Sequence, residues 1–251
     1  YCNSAEHRSV APVQKNYAEY IALLDKLAAW REHSPKSFGS LHTITYPGGG
    51  EPTLLPGYEN VIEHTIDLGF LTSLTTNGSR LEKLIQNVSV EKIRKMAWIG
   101  IDIDAGTEDL YETIRRSIPK RSLFDQVIQN ARDIVSIGAT VDFKILLNEY
   151  NNNLESLEQI YQLCKDVGVR LLYVRPTILQ GIAYPIGAAE QEMLSTLQDK
   201  YQVKTKLNLN KTLPRNYNRC HQMYQFPVFC ADGIIYTCCD NKGNQIGRAH
   251  V

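Results

Sequence analysis

Regular alternation of β-strand and α-helix patterns is the feature that most constrains the fold of this 251-residue chain. Short segments of apolar and β-branched residues are separated by longer segments whose apolar residues recur at helical spacing. The strand patterns cover residues 41–46, 70–75, 98–103, 141–147 and 169–174, and the helix patterns cover residues 16–33, 58–68, 90–96, 107–116, 123–137, 154–167 and 188–200. Because such alternation requires right-handed βαβ crossovers, the sequence predicts an α/β fold with a parallel sheet covered by helices.

Residues 201–251 have a different composition, rich in Pro, Asn, Lys and Cys. One β-hairpin is indicated here, with strands over 227–229 and 234–237 on either side of an Asp232-Gly233 turn. We therefore predict two units, an α/β domain over residues 1–200 and a small Cys-rich module over residues 201–251.

The charge balance argues against several classes of partner. The chain has 27 Lys and Arg residues against 27 Asp and Glu residues, whereas proteins that bind nucleic acid or a membrane surface usually have a basic excess. No apolar run reaches the roughly 18 to 20 residues that span a bilayer. We expect a cytoplasmic protein that binds a small molecule or a peptide, and neither nucleic acid nor a membrane.

Polar and glycine-rich loops follow the predicted strands, at the edge of the sheet where parallel α/β folds bind their ligands. The loop after the first strand reads Gly48-Gly49-Gly50-Glu51-Pro52. Glycines let backbone groups approach a ligand closely and the glutamate adds a negative charge, so this loop suits a cationic amino group. The alternative is a glycine turn whose glutamate is only solvated.

The order of four motifs along the chain resembles the radical S-adenosylmethionine (SAM) superfamily. Tyr1-Cys2 is followed by Gly49-Gly50-Glu51-Pro52 after the first predicted strand, by Thr-Asn-Gly at 76–78 after the second and by Asp-Ile-Asp-Ala-Gly at 102–106 after the third. The resemblance covers residues 1–177 and implies a partial (β/α)6 TIM-like barrel of parallel strands. It also implies that Cys2 is a catalytic residue, the last of three cysteines that hold a 4Fe–4S cluster. The first two cysteines and the first strand of the barrel would then precede a clipped N-terminus.

The same resemblance assigns SAM contacts to the ends of the predicted strands. Gly49, Gly50 and Glu51 match the segment that holds the SAM amino group, and Asp102 matches a position that contacts the SAM ribose or carboxylate. The other expected contacts to SAM or substrate are Asn77, Asp104, Arg116, Asn148 and Arg175. For the last two residues, a turn asparagine and a solvated arginine remain open alternatives.

Most of the cysteines lie close together near the end of the chain, at Cys220, Cys230, Cys238 and Cys239. Twelve residues separate Cys220 from Gly233 and four separate Gly233 from Cys238, a spacing that resembles the opening of the SPASM and twitch extensions, which hold auxiliary iron–sulfur clusters. We expect all four cysteines to be metal ligands, and further ligands to lie beyond a C-terminus that is also clipped. A structural zinc site stays open, although the two C-x2-C pairs of a zinc ribbon are absent.

The function implied by the resemblance is reductive cleavage of SAM, followed by hydrogen abstraction from a substrate by a 5′-deoxyadenosyl radical. A peptide is the expected substrate, and a flavodoxin or a ferredoxin-like protein is the expected electron donor. A dehydrogenase or epimerase that acts on a sugar or another small molecule is one alternative. The other is a non-catalytic α/β binding protein with a structural zinc module.

Outside the terminal cluster, Cys164 lies in a helix pattern and is predicted to be a core thiol.

Overall fold

The computed structural model describes most of the predicted α/β domain and three short parts of the predicted C-terminal module. The described residues are 16–33, 41–48, 50–115, 122–179, 182–209, 227–230 and 235–236.

A six-stranded parallel sheet is the centre of the described structure. Its strands are β1 (Thr43–Tyr46), β2 (Leu71–Thr76), β3 (Trp98–Asp102), β4 (Val141–Leu147), β5 (Leu171–Pro176) and β8 (Thr205–Leu207). Their spatial order is β1-β2-β3-β4-β5-β8, and every neighbouring pair is parallel. This sheet confirms the predicted α/β fold, and its open, parallel form is consistent with a partial (β/α)6 barrel.

Eight α-helices are described, and most of them connect successive strands. They are α1 (Tyr17–His33), α2 (Tyr58–Asp67), α3 (Glu82–Asn87), α4 (Val90–Arg94), α5 (Glu108–Arg115), α6 (Phe124–Ser136), α7 (Leu154–Val167) and α8 (Ala188–Tyr201). Helix α7 shows how the sequence sets the limits of a helix: the Asn153 side chain caps its first turn by accepting from the Ser156 N–H, and Gly168 ends it in a left-handed conformation.

The two faces of the sheet differ because successive side chains on a strand point to opposite sides. On β4, Val141, Phe143, Ile145 and Leu147 are buried in the apolar cluster that includes the helices. Asp142 and Lys144 lie on the opposite, inner face. The outer face therefore forms the core, with roughly 1.5–3 kcal/mol for each large apolar side chain buried. The thiol of Cys164, on α7, belongs to this core and is fully buried, which confirms its prediction.

Some elements are absent from the sequence prediction. The third predicted helix is preceded by the short helix α3, and a two-residue hairpin of β6 (Ile178–Leu179) and β7 (Ile182–Ala183) follows β5. The sequence predicted five parallel strands and a domain boundary at residue 200, but β8 lies beyond that boundary and pairs with β5. The division into two units stays a prediction.

The predicted hairpin near the end of the chain is described in part. Strands β9 (Val228–Phe229) and β10 (Ile235–Tyr236) pair antiparallel, which agrees with the prediction. The Asp232-Gly233 turn between them lies outside the described residues. Among the described helices, none is long and apolar enough to cross a membrane.

Candidate functional site

The loop after β1 places a carboxylate at the carboxyl edge of the sheet. Gly48 has a φ of +101°, a conformation that favours glycine. No atom lies within 4 Å of the point where a Cβ on Gly50 would be, so space remains open beside this backbone. Glu51 then caps a 3-10 helix over Pro52–Leu54, with its side chain turned back onto the Thr53 N–H.

The Glu51 carboxylate joins the ends of β1 and β2. Its Oε1 accepts from the Thr53 N–H at 3.1 Å, from the Thr53 hydroxyl at 2.7 Å and from the Thr76 hydroxyl at 2.6 Å. Among the described residues, its Oε2 accepts from the Asn77 N–H alone, at 2.6 Å. Because a carboxylate oxygen has two lone-pair directions, Oε2 can accept one further hydrogen bond from a ligand.

The Asn77 side chain stabilises the turn after β2. Its Oδ1 accepts from the Ser79 N–H at 2.9 Å. Gly78 follows with a φ of +80°, and a Cβ there would lie 2.9 Å from Ile101 Cγ2 and 3.0 Å from Val127 Cγ1. Asn77 therefore contributes its backbone N–H to the Glu51 cluster, while its side chain forms the local turn.

Asp104 connects the ends of β3 and β4. It is nearly buried and has a φ of +57°, which is uncommon for a residue other than glycine. One carboxylate oxygen, Oδ1, accepts from the Leu146 N–H at 2.7 Å, and Oδ2 pairs with Arg115 Nη2 at 2.8 Å. The same Arg115 nitrogen donates to the Asp102 carbonyl oxygen at 2.6 Å. Arg115 thus fixes the loop that follows β3.

Arg115 is a residue that the sequence interpretation missed, since that interpretation assigned the role to the adjacent Arg116. Arg116 lies outside the described residues and stays a prediction. The usable signal was the position of Arg115 one turn after Tyr111, whose ring it overlies at 5.8 Å.

Asp102, the last residue of β3, has a perturbed carboxyl group. Burial raises its pKa from 3.8 to about 6, and Asp104 adds to the rise, while Arg115, Lys144 and Arg175 oppose it. A carboxyl with this pKa exchanges its proton near neutral pH. Perturbed groups of this kind are concentrated at functional sites.

Lys144, on the inner face of β4, is a second residue that the sequence interpretation did not select. It is the register partner of Asp102 on β3. The Lys144 ammonium donates to the Thr75 hydroxyl at 2.6 Å and lies 4.5 Å from the centre of the Trp98 ring. Burial lowers its pKa below the ordinary lysine value, and the nearby Arg175 contributes to the decrease.

The two predicted contacts on β4 and β5 have different surroundings. Asn148 is fully buried: its Nδ2 donates to the Leu146 carbonyl at 2.9 Å and its Oδ1 accepts from the Tyr150 N–H at 2.9 Å. This arrangement is the turn asparagine that the sequence left as an alternative. Arg175 is half-buried, and its charge acts on both Asp102 and Lys144. Arg175 therefore lies with the inner-face charges.

The predicted cluster ligands fall mostly on residues that the structure does not describe. Cys2, Cys220, Cys238 and Cys239 lie outside the described residues. Gly49, a predicted SAM contact in the loop after β1, also lies outside them. Cys230 is described and is half-buried immediately after β9. In the described ranges, no group of three or more His, Cys, Asp or Glu side chains could hold a metal ion. The metal assignments therefore remain predictions.

Comparison with known proteins gives one family match and two curated relatives. A sequence profile of the Radical SAM superfamily matches residues 1–171. The chain is 37% identical over 111 residues to the S-adenosylmethionine-dependent nucleotide dehydratase of Flammeovirga pacifica, covering 42% of this chain and 36% of that protein. It is 24% identical over 227 residues to the AdoMet-dependent heme synthase of Oleidesulfovibrio alaskensis, covering 87% of this chain and 53% of that protein. The chain thus spans only about a third to about half of these relatives.

Solved structures with the same fold include Streptococcus suis SuiB. SuiB bound to S-adenosylmethionine aligns with a TM-score of 0.66 at 14% identity, over 93% of this chain and 56% of SuiB. SuiB bound to its precursor peptide SuiA also gives 0.66 at 14% identity, over 93% of this chain and 55% of SuiB. A domain of the pyruvate-formate lyase-activating enzyme from Bacteroides vulgatus gives 0.51 at 14% identity, over 66% of this chain and 99% of that domain. At these identities the likeness establishes the fold.

Proposed function

Because this chain belongs to the radical SAM superfamily, we propose that it binds SAM at the carboxyl ends of β1 to β5 and cleaves it reductively to modify a substrate. The observation that carries the proposal is the Glu51 carboxylate. It is held at the β1 and β2 ends by four hydrogen bonds, and its Oε2 accepts only one of them.

The side chains at this edge fit the polar groups of SAM. Glu51 Oε2 can accept a hydrogen bond from the SAM ammonium, and the open space beside Gly50 allows a ligand to approach the backbone. The Asp102 carboxyl, two strands away from the Glu51 loop, is suited to ribose hydroxyls because it accepts hydrogen bonds in either protonation state. This donor and acceptor set supports SAM as the ligand.

Each of these residues has a definite task in the proposed mechanism. When bound, SAM and a reduced 4Fe–4S cluster supply a one-electron cleavage that provides a hydrogen-abstracting radical. Glu51 orients the amino acid end of the ligand, and Asp102 orients the ribose. Asp104 and Arg115 act as positioning residues: their ion pair at 2.8 Å joins the β3 loop to α5, and the Asp104 carboxylate accepts from the Leu146 N–H of β4 at 2.7 Å. Preorganised polar groups of this kind reduce the cost of orienting a reactive ligand.

We assign the catalytic cluster to Cys2 and an auxiliary cluster to Cys220 and Cys238, with Cys230 and Cys239 as further ligands. The spacing of Cys220, Gly233 and Cys238 supports this proposal. The described hairpin of β9 and β10 also supports it, because it places Cys230 at the end of one strand of a small antiparallel pair. Thiolates from separate segments can then share one cluster.

A peptide is the proposed substrate class. Support comes from the fold shared with SuiB over 93% of this chain, since SuiB has been crystallised with its precursor peptide. A small-molecule substrate is the second candidate, favoured by the 37% identity to a nucleotide dehydratase over 111 residues. A flavodoxin or ferredoxin-like protein is the proposed electron donor.

Calorimetric titration with SAM tests the site in the reconstituted protein. Glu51→Ala should weaken SAM binding by about 1.5–3 kcal/mol, the range for a hydrogen bond to a charged group. Glu192→Ala is the matched control, because it removes the same negative charge from an exposed glutamate on α8. Unchanged SAM affinity in Glu51→Ala, or an equal loss in Glu192→Ala, would show that the Glu51 carboxylate does not bind the ligand.

A further inference from the structure

Cationic side chains are concentrated on the inner face of the sheet. Asp102, Lys144, Tyr173 and Lys206 are successive register partners across β3, β4, β5 and β8, so they form one row on one face. Arg175 lies two residues beyond Tyr173 on β5 and therefore on the same face. Three cations from neighbouring strands thus lie on one face of the sheet, with Arg175 nearest its carboxyl edge.

Lys144 is held at the centre of this face by direct contacts that, among the described residues, include no carboxylate. Its ammonium donates to a neutral hydroxyl, that of Thr75, and overlies the Trp98 ring. The Lys144 side chain packs against Gly100, where a Cβ would lie 2.5 Å from Lys144 Cε. Within the described part of the chain, neither Lys144, Arg175 nor Lys206 has a carboxylate oxygen within 4.0 Å.

The acidic groups of this face do not balance the three cations. Asp142 precedes Lys144 by two residues, but Arg170 binds both of its oxygens, at 2.9 Å and 2.6 Å. Asp102 is the other carboxyl of the row, and its single negative charge can balance at most one of the three cations. Because desolvated charges in proteins are normally paired, the lack of a direct carboxylate partner for the largely buried Lys144 ammonium points to a ligand.

We propose that Lys144, Arg175 and Lys206 form a binding site for an anionic group of the substrate, either a carboxylate or a phosphate. The site rests on the proposed function, because it places the substrate on the inner face of the sheet whose carboxyl edge is proposed to bind SAM. Lys144 supplies the desolvated charge, and Arg175 offers a planar fork that binds two oxygens at once. Lys206, on β8, is the third cation of the site, and its Nζ lies 5.8 Å from the centre of the Tyr173 ring. The substrate class is thus an acidic peptide or an acidic small molecule.

Titration of the reconstituted full-length protein with inorganic pyrophosphate and with succinate tests this site. The two probes distinguish a phosphate site from a carboxylate site, and binding of either one supports the proposal. Lys144→Gln and Arg175→Gln should each raise the dissociation constant of the probe about tenfold, the effect of losing one charge-assisted hydrogen bond. Lys83→Gln is the matched control, since Lys83 is an exposed lysine on α3. This control should bind the probe as the wild type does.

Other results would overturn the proposal. It fails if neither probe binds, or if Lys83→Gln loses as much affinity as Lys144→Gln, which would indicate a general charge effect. It also fails if Lys144→Gln weakens SAM by the same factor as the probe, because the SAM carboxylate would then be the occupant. Wild-type 5′-deoxyadenosine formation, measured in the same preparation, separates the two proposals: a protein that cleaves SAM but binds no probe retains the function and loses only this site.

Discussion

Replacing Asp102 by Asn should make the protein more stable, and increasingly so as the pH rises. In the folded protein, burial is the main reason that the Asp102 pKa rises from 3.8 to about 6. Ionising this carboxyl therefore costs free energy in the folded state that it does not cost in the unfolded chain. The stabilising contribution of the protonated Asp102 carboxyl is fully present below about pH 3.8 and is lost progressively as the pH rises from there through about 6.

The size of this effect follows from the two pKa values. Integrating the proton linkage gives a cost to the wild type of about 1 kcal/mol at pH 4.5 and about 3 kcal/mol at pH 7.5. An asparagine does not ionise at either pH, so it carries no such cost. Its amide changes the unfolding free energy by an amount that is the same at both pH values. The difference in unfolding free energy between Asp102→Asn and the wild type should therefore grow by about 2 kcal/mol between these pH values.

Urea unfolding followed by tryptophan fluorescence measures this difference. Trp98 lies on the same strand and the same face as Asp102, so its emission follows the region of interest. Asp199→Asn is the matched control, because Asp199 is exposed and water solvates its carboxylate in both states. A difference for Asp102→Asn that is the same at both pH values, or that is matched by Asp199→Asn, would refute the argument from burial.

Three further predictions test the supports of the site. Arg115→Met should lower the unfolding free energy by about 3 kcal/mol, because Asp104, whose side chain is 9% exposed, loses its ion-pair partner; a loss below about 1 kcal/mol in urea unfolding would contradict this. Gly106→Ala should destabilise the protein by about 1–3 kcal/mol, since a Cβ there would lie 2.5 Å from the Gln159 carbonyl carbon. Gly50→Ala is the control and should leave the unfolding free energy unchanged, because no atom lies within 4 Å of a Cβ at that position. Cys238→Ala should lower the iron and sulfide content by one cluster; full iron in this variant would reject the auxiliary cluster.

The order of strands and helices was predictable because it depends on local periodicity. Strand β4 shows the limit of that reading. Its apolar positions, Val141, Phe143, Ile145 and Leu147, gave the strand correctly. The interleaved polar positions were passed over, although a lysine at the middle of a strand in a parallel sheet indicates a face that meets a ligand or another charge. Alternation on this strand alone would have selected Lys144.

Elements that depend on tertiary contacts were less predictable. Strand β8 is three residues long and has a lysine at its centre, so its place in the sheet comes from pairing with β5 and not from its own pattern. The partners of Glu51 were also beyond the sequence, because Thr76 and Asn77 meet it only when β1 and β2 lie side by side. Its position after a strand was visible, whereas its four hydrogen bonds were not.

Formation of 5′-deoxyadenosine from SAM is the most direct test of the central claim. The intact protein would be purified anaerobically, reconstituted with iron and sulfide, reduced with dithionite and incubated with SAM, and the product would be measured by chromatography. We predict 5′-deoxyadenosine from the wild type, a much lower yield from Glu51→Ala, and none from Cys2→Ala. No product from wild-type protein that holds a full complement of iron and sulfide, or equal product from Cys2→Ala, would contradict the account.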